Sequence, residues 1–277
     1  MAGQNNTNLQ NRVIDKYNAR ISTVQSLVCV GLDSDYERLP ARFLDEAQPQ
    51  FAFNRWLIDL THEFVSAYKP NMAFYEARGD VGLQELKLTV EYLRDNHPDI
   101  LTICDAKRGD IGSTNEGYVT AIFDWLGFDA VTLHPYLGGE ALQPFLERAD
   151  KACIILCRTS NPGSGELQNL IVDGKPFWEI VAEKTRDRWN ARENCMLVMG
   201  ATYPEEIRRV RSIVGDMPLL IPGIGAQGGN LEQTVRFGLD SAKRGLIINS
   251  SRGVIFADDP RLAVQQLRDV INEYRGV

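Results

Sequence analysis

Histidine is scarce, basic charge is in deficit, the cysteines show no C-x-x-C spacing, and no long apolar run occurs. Three histidines, scattered along the chain, and the absence of any C-x-x-C pair leave no convergent ligand set for zinc, so no metal is expected. Cys29, Cys104, Cys153, Cys157 and Cys195 mostly fall in apolar, strand-like runs and are expected to be buried, reduced thiols of a cytoplasmic protein. Cys153 and Cys157 share one strand face, but further ligands are lacking. With no stretch of about 18 apolar residues and no visible signal peptide, a membrane protein is not expected. Lys and Arg number 30 against 37 Asp and Glu, a net charge of −7, which argues against a nucleic-acid or membrane-surface binder. An anionic ligand would have to be held by a local cluster rather than by the field of the whole protein.

What is present is a repeat of structure rather than of letters. Apolar runs at Leu27–Asp33, Val65–Asn71, Ile100–Asp105, Ala130–His134, Ala152–Arg158, Cys195–Met199, Leu219–Pro222 and Leu246–Asn249 read as strands. Helical spacing follows each of them, over Phe51–Phe64, Leu83–Leu93, Thr114–Leu126, Gly139–Arg148, Phe177–Trp189, Glu205–Val214, Leu231–Gly238 and Pro260–Tyr274. An extra helix, Asn8–Thr23, precedes the first strand and is placed to close one end of the fold. Strands apolar throughout are buried on both faces, as in a parallel sheet covered by helices. Eight such units without a linker predict one α/β domain over 1–277, a (β/α)8 TIM barrel.

Polar residues collect where these strands end. A barrel gathers those ends on one face, the catalytic one, so Asp33, Lys69, Asp105, Lys107, His134 and Ser160 are predicted to converge. The densest stretch is Asp105-Ala-Lys107-Arg-Gly-Asp110-Ile-Gly-Ser-Thr114. Alternate residues of an extended chain share a face, which aims Asp105 and Lys107 the same way. Gly109 permits a turn that brings Asp110 towards the lysine or swings it towards a neighbour. Ser113 and Glu116 have capping-box spacing and predict the next helix start. An isolated acid-Lys-acid run reads first as solvated ion pairs worth about 0–1 kcal/mol. Its position between an apolar strand and a helix favours a site instead. His134 is either a general acid–base or, more simply, a packed residue. Ser160 has no recognisable histidine partner, which suits it to hydrogen-bond a ligand rather than attack one.

Pro222-Gly-Ile-Gly-Ala-Gln227-Gly-Gly satisfies G-x-G-x-x-G, but it follows the seventh strand rather than opening a βαβ unit near the start. No acid ends the next strand to hold a ribose; Asn249 stands there. Phosphate is the better reading, since glycines let backbone N–H groups approach an anion and barrels often bind phosphate after strands seven and eight. Ser250-Ser251-Arg252-Gly253 adds a guanidinium suited to bidentate contact.

Together these segments resemble the orotidine 5′-phosphate decarboxylase family, in its longer, type 2 bacterial branch. Asp105-x-Lys107-x-x-Asp110-Ile111-x-x-Thr114 is similar to the family signature, and the glycine and Arg252 loops to its phosphate site. The long connections after strands one and five, the latter with Thr159-Ser160-Asn-Pro-Gly-Ser-Gly, resemble the longer branch. The acid-Lys-acid motif is shared with sugar-phosphate relatives, whereas all three segments in this order are specific. The resemblance implies decarboxylation of orotidine 5′-phosphate to UMP in de novo pyrimidine biosynthesis, without a cofactor, by a cytoplasmic homodimer. It implies Lys107 as proton donor flanked by Asp105 and Asp110, Asp33 and Lys69 on the ribose hydroxyls, and Ser160 on the pyrimidine. Gln227 and Arg252 would bind phosphate, while Asp110 and Thr114 would reach the neighbouring subunit's site. Two alternatives stay open. One is a Mg²⁺-dependent sugar-phosphate decarboxylase or aldolase of the same barrel type, which needs a further acid; Glu76 lies near. The other is a non-catalytic nucleotide-binding barrel.

Overall fold

A strand with no polar face must be covered on both sides, by helices outside and by its fellow strands' side chains inside. The computed structural model describes residues 13–224 and 230–277 and meets that demand with a closed barrel. Its strands are β1 (Val28–Val30), β2 (Ala67–Tyr68), β3 (Leu101–Arg108), β4 (Ala130–Leu133), β5 (Ala152–Arg158), β6 (Cys195–Met199), β7 (Leu219–Ile221) and β8 (Leu246–Ser250). Each is parallel to its neighbours, and β1 closes the ring by pairing Cys29 with both Ala67 of β2 and Asn249 of β8. Every residue of β1, β4 and β6 is buried. Each large aliphatic side chain so placed contributes about 1.5–3 kcal/mol. The fold class is thus the one the patterning predicts.

The helices follow from local chemistry. Pro204–Val214 starts on a proline, carries Glu205 and Glu206 in its first turn and buries Ile207, Val210, Ile213 and Val214 on one stripe. Gly215, at φ 60°, ends it. Pro260–Arg275 is capped by Asp259, whose carboxylate accepts from the Leu262 N–H at 3.0 Å. Before the barrel, Val13–Val24 lies across the strands' starting ends. Tyr17 donates to the Leu246 carbonyl, Lys16 pairs with Asp129 at 2.8 Å, and Arg20 donates to the Val65 carbonyl at 3.1 Å. That leaves the opposite end of the barrel as the open one.

Some connections carry structure that periodicity does not reveal. Short helices occupy Ala41–Leu44 and Ala73–Glu76. After β5 a turn of helix, Gly165–Gln168, precedes an antiparallel hairpin pairing Val172 with Lys175. All five cysteines are buried and unpaired. Burial pushes the Cys29 and Cys195 thiols up to about 12, so neither offers a thiolate at neutral pH. Among the described residues no helix is long and apolar enough to cross a membrane.

Candidate active site

At the open end of the barrel, β2 and β3 deliver a row of alternating charge. Lys69, just past β2, is 3% exposed and donates through Nζ to Asp105 Oδ2 at 2.9 Å. The other oxygen, Asp105 Oδ1, accepts from Lys107 Nζ at 2.6 Å and from Thr132 Oγ1 at 3.0 Å. One carboxylate thus takes three donors, two of them charged, in a site where little water competes. Burial alone would raise the Asp105 carboxyl, but the Lys69 and Lys107 ammoniums hold it well below the usual carboxylate range. Burial likewise opposes the Lys69 charge, yet Asp105 and Asp33 overcome it and push that ammonium above the ordinary lysine range.

These directions set the pH window of the pair. Asp105 has a folded value below 3.8, so its contribution is complete above 3.8 and is lost as pH falls towards the folded value. Lys69 contributes fully below 10.5, and its share is lost as pH rises through a folded value above that. The pair is therefore intact throughout the neutral range. Asp105→Asn should leave the buried Lys69 ammonium short of its partner and cost about 3 kcal/mol. Urea unfolding at neutral pH measures this; a loss under about 1 kcal/mol would mean that Asp33 alone compensates the charge.

Simple alternation does not explain how Lys107 reaches Asp105. β3 continues beyond Asp105 to Arg108, and its register against β4 shifts between Cys104 and Arg108. Within that irregularity Lys107 takes φ 48°, a left-handed backbone that costs a non-glycine residue about 1–2 kcal/mol. Thr132 of β4 pins the bulge by accepting from the Lys107 N–H at 2.9 Å while donating to Asp105. Its hydroxyl escaped the sequence reading; the signal available was a lone polar residue in Ala130-Val-Thr-Leu133. Lys107 itself stays half exposed, its side chain 50% accessible.

The expected capping box does not form. The helix after β3 is Gly112–Val119, with Ile111 at its cap and no side-chain cap bond, so Ser113 lies inside it. Buried Asn115 holds the turn instead, its Oδ1 accepting from the Asp110 N–H at 2.9 Å and its Nδ2 donating to the Asp110 carbonyl. The Asp110 carboxylate accepts from the Ile111 N–H at 2.8 Å, while Ile111 and Thr114 are exposed beside it. Within one chain, Lys107 is therefore hydrogen-bonded by Asp105 and not by Asp110. His134 packs on Gly109, where an added Cβ would come within 2.7 Å of the imidazole Nε2.

A cavity of about 420 Å³ opens beside the charged row. Asp33, Lys69, Asn71 and Asp105 form one wall; Asn249 and the Ser250–Gly253 turn form the other. Asp33 Oδ1 is buried there without a hydrogen-bond partner, an acceptor of the kind a ligand hydroxyl would satisfy. The start of the short helix Arg252–Ile255 is seated on the residue after β1, since Ser251 Oγ donates to the Gly31 carbonyl at 3.1 Å and a Cβ on Gly31 would meet Ser251 at 2.8 Å. Arg252 itself is exposed at the cavity edge. Ser160 sits at the end of β5 against Gly200, which follows β6; a Cβ there would lie 2.9 Å from Ser160. Gln227 lies outside the described residues.

The family model described as Orotidine 5'-phosphate decarboxylase / HUMPS family matches residues 26–267. The chain is 48% identical over 258 residues to an orotidine 5′-phosphate decarboxylase of Cupriavidus necator, covering 90% of this chain and 94% of that one. It is 46% identical over 262 residues to the protein of that name from Herpetosiphon aurantiacus, covering 94% and 96% of the two chains. The solved OMP decarboxylase of Leishmania donovani superposes with a TM-score of 0.87 at 39% identity, over 96% of this chain and 100% of that one. The chain belongs to the orotidine 5′-phosphate decarboxylase / HUMPS family.

Proposed function

We propose that this chain, as one barrel domain, decarboxylates orotidine 5′-phosphate to UMP in pyrimidine biosynthesis, in the cytoplasm and without a cofactor. The observation that carries the reading is the Lys69–Asp105–Lys107 row, whose Lys69 and Asp105 line a cavity that Arg252 lines as well. The C6–carboxylate bond breaks, CO2 leaves, and the electron pair remains on C6 in the ring plane, where no π-system spreads it. An ammonium aimed at that carbon stabilises the pair as it forms and then transfers its proton from Nζ. Lys107 is the open ammonium, and its neutral amine is reprotonated by solvent. Asp105 holds Lys107 in place and stands where the departing carboxylate is crowded.

The remaining roles are those the family resemblance implies, and the cavity lining supports them at Asp33, Lys69 and Arg252. Asp33, with its unpartnered oxygen, and Lys69 take the ribose hydroxyls. Ser160 hydrogen-bonds the pyrimidine, and Gln227 and Arg252 take the phosphate. Asp110 and Thr114 complete the site of a second subunit, which makes the working unit a homodimer. Binding energy from the remote phosphate is then available to close the loops over the reacting carbon.

The magnesium-dependent alternative needs another acid, but Glu76 is engaged by the Arg108 guanidinium. Loss of the orotate chromophore, followed with EDTA present, decides between them. Unchanged turnover to UMP is expected; loss that Mg²⁺ restores would sink the reading. Arg252→Ala is expected to lower kcat/KM for the phosphorylated substrate roughly 10²-fold. The same variant should leave the reaction of phosphate-free orotidine unchanged in steady-state kinetics. An equal loss on both would remove Arg252 from the phosphate site.

A further inference from the structure

One buried charge close to the site has no part in the chemistry described above. Arg158, the last residue of β5, is 2% exposed, and its guanidinium ties three separate segments together. Nε donates to Glu206 Oε2 at 2.6 Å, and the guanidinium plane lies over the Tyr203 ring, 3.9 Å from its centroid. On the other side Nη1 donates to Ser164 Oγ at 3.0 Å and to Gln168 Oε1 at 3.2 Å. Gln168 in turn grips the residue after the arginine twice. Its Oε1 accepts from the Thr159 N–H at 2.9 Å, and its Nε2 donates to Thr159 Oγ1 at 2.8 Å. The arginine's own carbonyl accepts from the Gly200 N–H at 2.8 Å. A serine on the next residue is thereby carried over Gly200, where no Cβ stands in its way.

We propose that Arg158 is a positioning residue: through Gln168 it holds the Thr159–Ser160 turn over Gly200, so that Ser160 meets the pyrimidine already aimed. The proposal rests on the assignment of Ser160 to the base. A planar fork is required, because Arg158 must serve Glu206 in one direction and the loop in the other, which an ammonium cannot do with the same geometry. The loop's freedom is removed before the ligand arrives, and binding then loses less entropy.

The test compares Kd for 6-azaUMP, which carries a base, with Kd for ribose 5-phosphate, which does not. Arg158→Lys and the less buried Gln168→Ala should each weaken 6-azaUMP roughly tenfold and leave ribose 5-phosphate within about twofold. In the double variant, Ser160→Ala should cost clearly less than it does alone, because the loop that aimed it is already loose. A folded Gln168→Ala enzyme with parental 6-azaUMP binding, or with full additivity to Ser160→Ala, would overturn the proposal while leaving Ser160 on the base. Equal weakening of both ligands would also overturn it, showing collapse of the whole site. If Ser160→Ala alone does not change 6-azaUMP binding, the assignment of Ser160 fails and the proposal fails with it.

Discussion

Lys107→Ala is expected to abolish decarboxylation while the barrel remains folded. The side chain is half exposed, so its removal opens no core cavity, and Asp105 keeps its bonds from Lys69 and Thr132. Alanine bears the same left-handed backbone cost at φ 48° as lysine, so the bulge gains no new strain. Two catalytic contributions vanish together. General-acid transfer contributes about 10²–10⁴ and aimed charge about 10²–10³, so a loss on the order of 10⁵ in kcat is expected. Binding of 6-azaUMP should persist, since the ribose and phosphate contacts belong to other side chains. Lys107→Arg separates the two contributions, because guanidinium keeps the charge but does not release its proton near neutral pH. Near-normal turnover in Lys107→Ala, checked by chromophore loss, would remove the lysine from the chemistry.

Mixing inactive Lys107→Ala chains with inactive Asp110→Ala chains should restore activity. Asp110 points its carboxylate at the Ile111 N–H rather than at Lys107 of its own chain, beside exposed Ile111 and Thr114. In a hybrid dimer, one site lacks both residues while the other pairs a native Lys107 with a native Asp110. Random exchange makes half the dimers hybrid, each with one whole site, so recovery approaches about a quarter of parental activity. Exchange confirmed by mass without recovery would mean that each chain builds its site alone.

How much of this was legible before the structure can be judged from particular residues. The eight strands could be read because a strand buried on both faces must be apolar throughout, and that signature is local. Lys69 and Asp105 were legible for the same reason, being the first charges after such runs. The end of β3 was not, because past Asp105 the chain turns polar while pairing with β4 continues through a bulge. Ser113 and Glu116 carried the letters of a cap, yet no side chain caps that helix, and Asn115 instead braces the turn before it by reaching both Asp110 and the Ala141 carbonyl. Arg158 read as the last residue of a strand, and nothing adjacent to it in the chain pointed to Glu206.

By itself the sequence determined that this is an α/β barrel with charged strand ends on one face, a glycine-rich segment after the seventh strand and an arginine-bearing one after the eighth. Periodicity and composition act over a few residues, and those features are set at that range. Only the tertiary structure decided which ammonium is buried and which is open, which oxygen of Asp105 each lysine takes, and which side chain aims the serine. Those outcomes depend on the register with which separate strands close into a ring, and register is a property of the assembled sheet.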